Sequence, residues 1–217
     1  MSASTVVKGF VSQIPEIVLS AFKIKKDSST PFQINSSYER VSVIIIHNLG
    51  LKEVIQYKPS FLLRNAGKIL ALFTNKPTIH DVLLSMTKTS NYNLFDILET
   101  QGIKTIIIGR NYLERFVGRL SRFINTKTDM ETYVKVITYV NRINFLLAEF
   151  LDLNKRNNNL TKIISENEIK AKIVKKTDDF IKLIHKQVKP NSLNLIIGVP
   201  NVDNPAINIP VGFVIPK

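Results

Sequence analysis

The sequence predicts an α+β fold: a helical middle, about residues 60–154 and 160–188, with strands near both ends. Three observations carry this. β-branched runs of strand length lie near both termini (Val6 to Val11, Arg40 to His47, Leu193 to Ile197). Between them, apolar residues recur at helical spacing behind capping residues. Strands and helices do not alternate regularly enough to favour a repeated α/β unit. The chain has 217 residues, 44% of them hydrophobic and 22% charged. That is enough to bury a core without covalent staples and too apolar for chain-wide disorder.

In chain order, Val6 to Val11 reads as a strand and Lys25 to Pro31 as a loop by composition. Arg40 to His47 holds Val41, Val43, Ile44, Ile45 and Ile46, a buried strand that Asn48-Leu49-Gly50 should end. Leu51 to Tyr57 is a partner strand or a short helix. Pro59 and Ser60 precede an apolar face, Phe61 to Phe73, at helical spacing, ending before Pro77. Thr78 caps a short helix through Met86, with Asp81 near its positive end. Asn93 caps Leu94 to Gln101, which Gly102 stops, and Ile103 to Ile108 is a second buried strand closed by Gly109.

Asn111 to Ile124 places Leu113, Phe116, Val117, Leu120 and Ile124 on one helical face and Arg115, Arg119 and Arg122 on the other. Thr128 and Glu131 form a capping box for a long helix from Asp129 to about Asn154. Lys155 to Asn159 is a polar boundary. The Lys-rich stretch Leu160 to Val188 is helical, with Thr177, Asp178 and Asp179 starting a new helix inside it. After Pro190, Leu193 to Ile197 is a strand. Ala206 to Ile215, broken by Pro210 and Gly212, is an edge strand or extended arm. The organisation is a main body, 1–154, and a Lys-rich segment with a terminal arm, 160–217, folded as one domain.

Charge narrows the partners. There are 30 Lys and Arg against 17 Asp and Glu, a net +13, spread over the chain. Such a body attracts polyanions. Arg115, Arg119 and Arg122, flanked by Arg110 and Lys127, form a ridge whose planar forks suit phosphate oxygens. Lys172, Lys175 and Lys176 form a second basic cluster. These eight residues are the expected nucleic-acid contacts, to backbone rather than bases. The competing reading of each cluster is a solvated helix face.

Catalytic signals are sparse. There is no cysteine, which excludes disulfides and thiolate chemistry. No phosphate-binding glycine loop and no GxSxG is present. Gly109-Arg110-Asn111 could seat a phosphate at a helix start, but a single glycine there is usually connection geometry. His47, His80 and His185 lack metal-ligand spacing, so no metal and no cofactor is expected. His47, at a strand end, is the one histidine to check for a site. Asp96 and Glu99, at i and i+3, share a helix face.

The leading functional expectation is a self-assembling structural subunit of a virus or mobile element, coat-like or nucleoprotein-like, not an enzyme. It would bind nucleic acid and self-associate through the C-terminal arm. The alternatives are a phage tail or baseplate component, and an enzyme acting on a phosphorylated substrate with a cleft around Arg110, His47 or Asp96. Pro15 and Glu16 interrupt the N-terminal apolar residues, so no signal peptide is expected. No apolar run approaches the ~18 residues of a membrane span, and membrane contact is not expected. The expected location is a virion or host cytoplasm.

Overall fold

An unbroken β-branched run can bury both of its faces only inside a sheet covered on both sides. Arg40–His47 does so: from Val41 onward every residue is buried. The computed structural model describes residues 5–24, 31–34, 36–74, 78–89, 92–151, 166–200 and 209–217. The expected loop at 25–30 and the boundary at 155–159 lie outside them. The strands are β1 (Thr5–Phe10), β2 (Arg40–His47), β3 (Lys68–Phe73), β4 (Lys88–Thr89), β5 (Tyr92–Asn93), β6 (Thr105–Gly109), β7 (Arg122–Asn125), β8 (Phe145–Phe150), β9 (Ser192–Val199) and β10 (Val211–Pro216). The α-helices are α1 (Ile14–Ala21), α2 (Leu51–Tyr57), α3 (Ser60–Asn65), α4 (Ile79–Thr87), α5 (Leu94–Thr100), α6 (Asp129–Tyr139) and α7 (Glu166–Gln187).

Eight strands form one sheet in the order β1-β3-β10-β9-β2-β8-β6-β7, and β4 pairs β5 separately. In the large sheet β10 runs antiparallel to both of its neighbours, while the remaining pairs are parallel. Helices cover both faces, so the α+β class stands as a mixed sheet between two helical layers. The first layer, α1, α4 and α5, packs on Val43, Ile45, Ile107, Leu147 and Leu195. The second, α2, α3, α6 and α7, packs on Ile44, Ile46, Ile108, Ala148 and Ile196. Alternate residues of one strand thus feed two cores. Each fully buried Ile or Phe contributes about 1.5–3 kcal/mol relative to exposure.

Several local expectations hold. Thr78 and Asp81 cap α4, with Asp81 N donating to Thr78 Oγ1 at 3.1 Å. Asn93 caps α5 by accepting from Phe95 N at 2.9 Å. Gly102 adopts φ +73°, the left-handed conformation that ends the helix. Thr128 caps α6.

Five elements differ. The face read as one helix over 61–73 is α3 followed by β3, because Ile69, Leu70 and Ala71 pair with β1 on one side and β10 on the other. The stretch 111–124 is a 3-10 turn, Asn111–Phe116, followed by β7. α6 ends at Tyr139, and Phe145–Phe150 is a strand paired on both edges. Here ladder pairing and burial override helical periodicity. Finally, β10 is no edge arm: it lies between β3 and β9. α7 also runs unbroken through Thr177–Asp179. Asp178 caps a different helix, accepting from Phe61 N at 2.8 Å and Leu62 N at 3.0 Å at the start of α3.

Candidate functional site

β2, β6, β8 and β9 run parallel, so His47, Gly109, Phe150 and Val199 all end at one edge of the sheet. The crevice outside the carboxyl ends of such strands is where open α/β sheets bind ligands. The parallel register sets Glu149 level with Ile45, on the face shared by Ile45 and His47. The two side chains meet there: His47 Nε2 lies 2.6 Å from Glu149 Oε1, with side-chain exposures of 8% and 0%. A buried carboxylate is costly unless paired, and His47 is its partner. The Tyr112 hydroxyl, on the turn after β6, lies 3.4 Å from the same nitrogen. Arg110 N donates weakly to Glu149 Oε2 at 3.5 Å.

Packing at this edge is close. A Cβ on Gly109 would sit 2.4 Å from Leu113 Cδ1 and 3.2 Å from Glu149 Oε2. This glycine is therefore set by the approach of Glu149 and Leu113, and the turn behind it is too short to serve as a helical phosphate site. A Cβ on Gly198 would fall 2.0 Å from the Leu49 carbonyl oxygen, where the turn after β2 crosses β9. His80, on α4, packs its ring 6.0 Å from that of Phe116, at the end of the turn after β6. Its Nδ1 is buried with no hydrogen-bond partner among the described residues. Further along the edge, at the ends of β1 and β3, an open cavity of about 280 Å³ is lined by Phe10, Ser12, Phe73, Asp81 and Ser85 among others.

The predicted basic ridge is not one row. Arg110 is drawn inward: Nη2 pairs with Asp129 Oδ1 at 3.1 Å and Nη1 donates to Thr132 Oγ1 at 3.3 Å. Asp129 also accepts from Leu151 N at 2.8 Å, so this pair ties the turn after β6 to α6 and to the exit of β8. Arg115 lies over the rings of Tyr112 and Phe116. Arg119 follows in a loop whose backbone N–H is held by Asp96. Arg122 is on β7, its guanidinium 5.4 Å from the Tyr139 ring. Lys127 is exposed at the start of α6, and Lys172, Lys175 and Lys176 are exposed on α7. With no helix over 111–124, the i, i+4, i+7 spacing of the three arginines has no structural counterpart.

Asp96 and Glu99 do share a helix face, and their work is structural. Glu99 accepts from Leu120 N at 2.8 Å, from Thr105 Oγ1 at 3.0 Å and from Ser121 Oγ. Sequence reasoning singled out His47 but missed Glu149. The signal was a lone acid in the apolar run Phe145–Phe150, obscured by assigning that run to a helix.

The comparisons give the architecture its place. The sequence matches no protein-family model and no curated protein. Among solved structures, a protein in the alkaline phosphatase superfamily from Vibrio parahaemolyticus aligns over 94% of this chain and 68% of its own, with TM-score 0.57 and 15% identity. The chain shares its fold with that protein. Murine ectonucleotide pyrophosphatase/phosphodiesterase 5, an inactive variant in complex with AMP, aligns over 74% of this chain and 56% of its own, with TM-score 0.54 and 6% identity. The zinc-bound C-terminal periplasmic domain of EcEptC from Escherichia coli aligns over 82% and 73%, with TM-score 0.51 and 13% identity. These neighbours overturn the expectation of a nucleic-acid-binding virion coat or nucleoprotein subunit, since none of the three is described as one.

A zinc-bound neighbour raises the question of a metal site. Among the described residues no group of three or more His, Asp or Glu side chains is placed to hold a metal ion. At the sheet edge His47 is taken by Glu149, and Asp129 by Arg110 and Leu151. The described donors do not fit a metal centre.

Proposed function

We propose that the chain is an enzyme acting on a phosphorylated substrate at the carboxyl edge of its sheet. The observation that carries this reading is the buried His47–Glu149 pair at that edge, in a fold shared with a phosphodiesterase-type protein in complex with AMP. The substrate's phosphorus sits at the mouth of the crevice, beside Tyr112. A water molecule attacks phosphorus, the ester P–O bond breaks, and the departing oxygen takes a proton from solvent. The proton released by the attacking water passes to the His47–Glu149 pair and then to bulk water. Glu149 fixes the orientation of the imidazole. The half-buried Tyr112 hydroxyl supplies a hydrogen-bond donor on the solvent side.

The test is hydrolysis of a chromogenic phosphomonoester and a chromogenic phosphodiester by the purified chain. His47→Gln and Glu149→Gln should each lower kcat by about a hundredfold or more while the circular dichroism spectrum is kept. Turnover of both esters that is unchanged in either variant, or no turnover together with no calorimetric binding of AMP, overturns the proposal.

A further inference from the structure

We propose that the helical layer of α2, α3, α6 and α7 is a docking face for an anionic membrane surface. Charge is divided between the two layers. α1, α4 and α5 carry no Lys or Arg, and their acids are Glu16, Asp81, Asp96 and Glu99. α2, α3, α6 and α7 carry nine Lys and Arg, six of them on α7, against seven Asp and Glu, of which Asp129 and Asp178 are buried. Lys172, Lys175, Lys182 and Lys186 recur along the outer face of α7 and are exposed, with the exposed acid Asp179 between them and Glu168 one turn before. Arg64 on α3 and Lys135 on α6 extend the same face.

Basic charge alone would suit any polyanion. The apolar residues choose among them. Four exposed large apolar side chains are borne by described helices: Ile55 at 65%, Met130 at 50%, Val134 at 46% and Leu183 at 42%. All four lie on this layer. Lysines interleaved with outward apolar side chains match an interface of anionic headgroups above acyl chains. A nucleic-acid backbone would leave those four side chains without a role. The lysine ammonium is a strongly hydrated point charge, suited to loose headgroup contact rather than bidentate phosphate recognition. No described helix is long and apolar enough to cross a membrane, so the contact is peripheral. The sequence expectation sets membrane contact aside, although it weighs the Lys170 to Lys189 stretch as a peripheral contact with anionic lipid.

The experiment is co-sedimentation of the full chain with phosphatidylcholine vesicles, with and without phosphatidylserine, over a salt series. Binding should require phosphatidylserine and weaken with salt. Each basic residue at an anionic leaflet strengthens binding roughly fivefold, so K172Q/K175Q/K182Q/K186Q should weaken it by about two orders of magnitude or more. Ile55→Ser with Leu183→Ser should weaken it by about tenfold, a loss that persists at high salt. Circular dichroism and the thermal midpoint of both variants should match the parent. Absence of binding, equal binding to neutral vesicles, or a lysine variant that binds like the parent overturns the proposal. So does tighter binding to duplex DNA that the apolar variant leaves unchanged.

Discussion

The two helical layers bury similar apolar cores but treat their charges in opposite ways. In the first layer the carboxylates are turned inward as tethers. Glu99 and Asp96 hold the loop before β7 by its backbone N–H groups, and Asp81 closes the cap of α4. In the second layer, the carboxylates of Asp129 and Asp178 are buried tethers too, while the lysines project outward. Buried acids on both faces therefore serve the fold, while Lys172, Lys175, Lys182 and Lys186 stay exposed on one of them. A net charge of +13 is thus displayed unevenly, since acids used as internal acceptors cannot offset distant lysines at the surface.

The strongest way to break this comparison is to remove a tether from the basic layer. Asp178 bridges α7 to the first turn of α3, accepting from two backbone N–H groups and, at 3.4 Å, from Ser60 Oγ. Asp178→Ala leaves those donors without their carboxylate at a buried position. It should cost about 2–4 kcal/mol in urea denaturation. A loss under about 0.5 kcal/mol would mean that solvent replaces the cap and that α3 does not depend on α7.

A tether in the acidic layer should matter less, because its loop is more exposed. Glu99→Gln keeps an acceptor oxygen but loses the charge-assisted bonds to Leu120 N and Ser121 Oγ. The expected cost is about 1–2 kcal/mol, read from the same urea midpoints. Gly118 packs against this site: a Cβ there would fall 2.7 Å from both Glu99 Oε1 and Phe95 Cβ. Lys175→Glu, among the exposed lysines, should change stability by no more than about 0.5 kcal/mol in either direction. A larger loss would place that lysine among the structural charges.

How far the sequence revealed this follows from where each signal is local. Caps are local, and Thr78, Asn93 and Thr128 were readable because a side chain meets a backbone N–H two or three residues away. β2 and β6 were readable because a β-branched run has little other use. Phe145–Phe150 was not: Phe-Leu-Leu-Ala-Glu-Phe favours a helix by propensity, and only pairing with β2 and β6 decides otherwise. That misassignment hid Glu149, since the contact with His47 spans 102 positions and depends on strand register. Asp178 reads as part of a helix start within its own stretch, whereas it caps a helix 116 to 118 positions away. The arginine row failed for the reverse reason. Its periodicity was real in the sequence, but Arg122 belongs to a strand.

The finest probe of the basic layer is His185, near the end of α7. Its Nδ1 lies 3.5 Å from Asn194 Nδ2, its ring packs 5.5 Å from Phe61, and the Lys217 ammonium donates to its carbonyl oxygen at 2.7 Å. Burial, and then the charge of Lys217, hold its pKa below the ordinary 6.5. A protonated Nδ1 would also set two donors against each other at Asn194. The unfolded chain therefore binds the proton more readily than the folded one. Stability from this group is complete above pH 6.5 and falls as pH drops through that value toward the folded pKa. The urea midpoint of the parent should decline more than that of His185→Gln between about pH 7.5 and about pH 5. The difference isolates His185 from His47 and His80, which both proteins retain. Parallel declines would show that the layer tolerates one more positive charge at its inner side, and that its lysines are not near the limit of like-charge crowding.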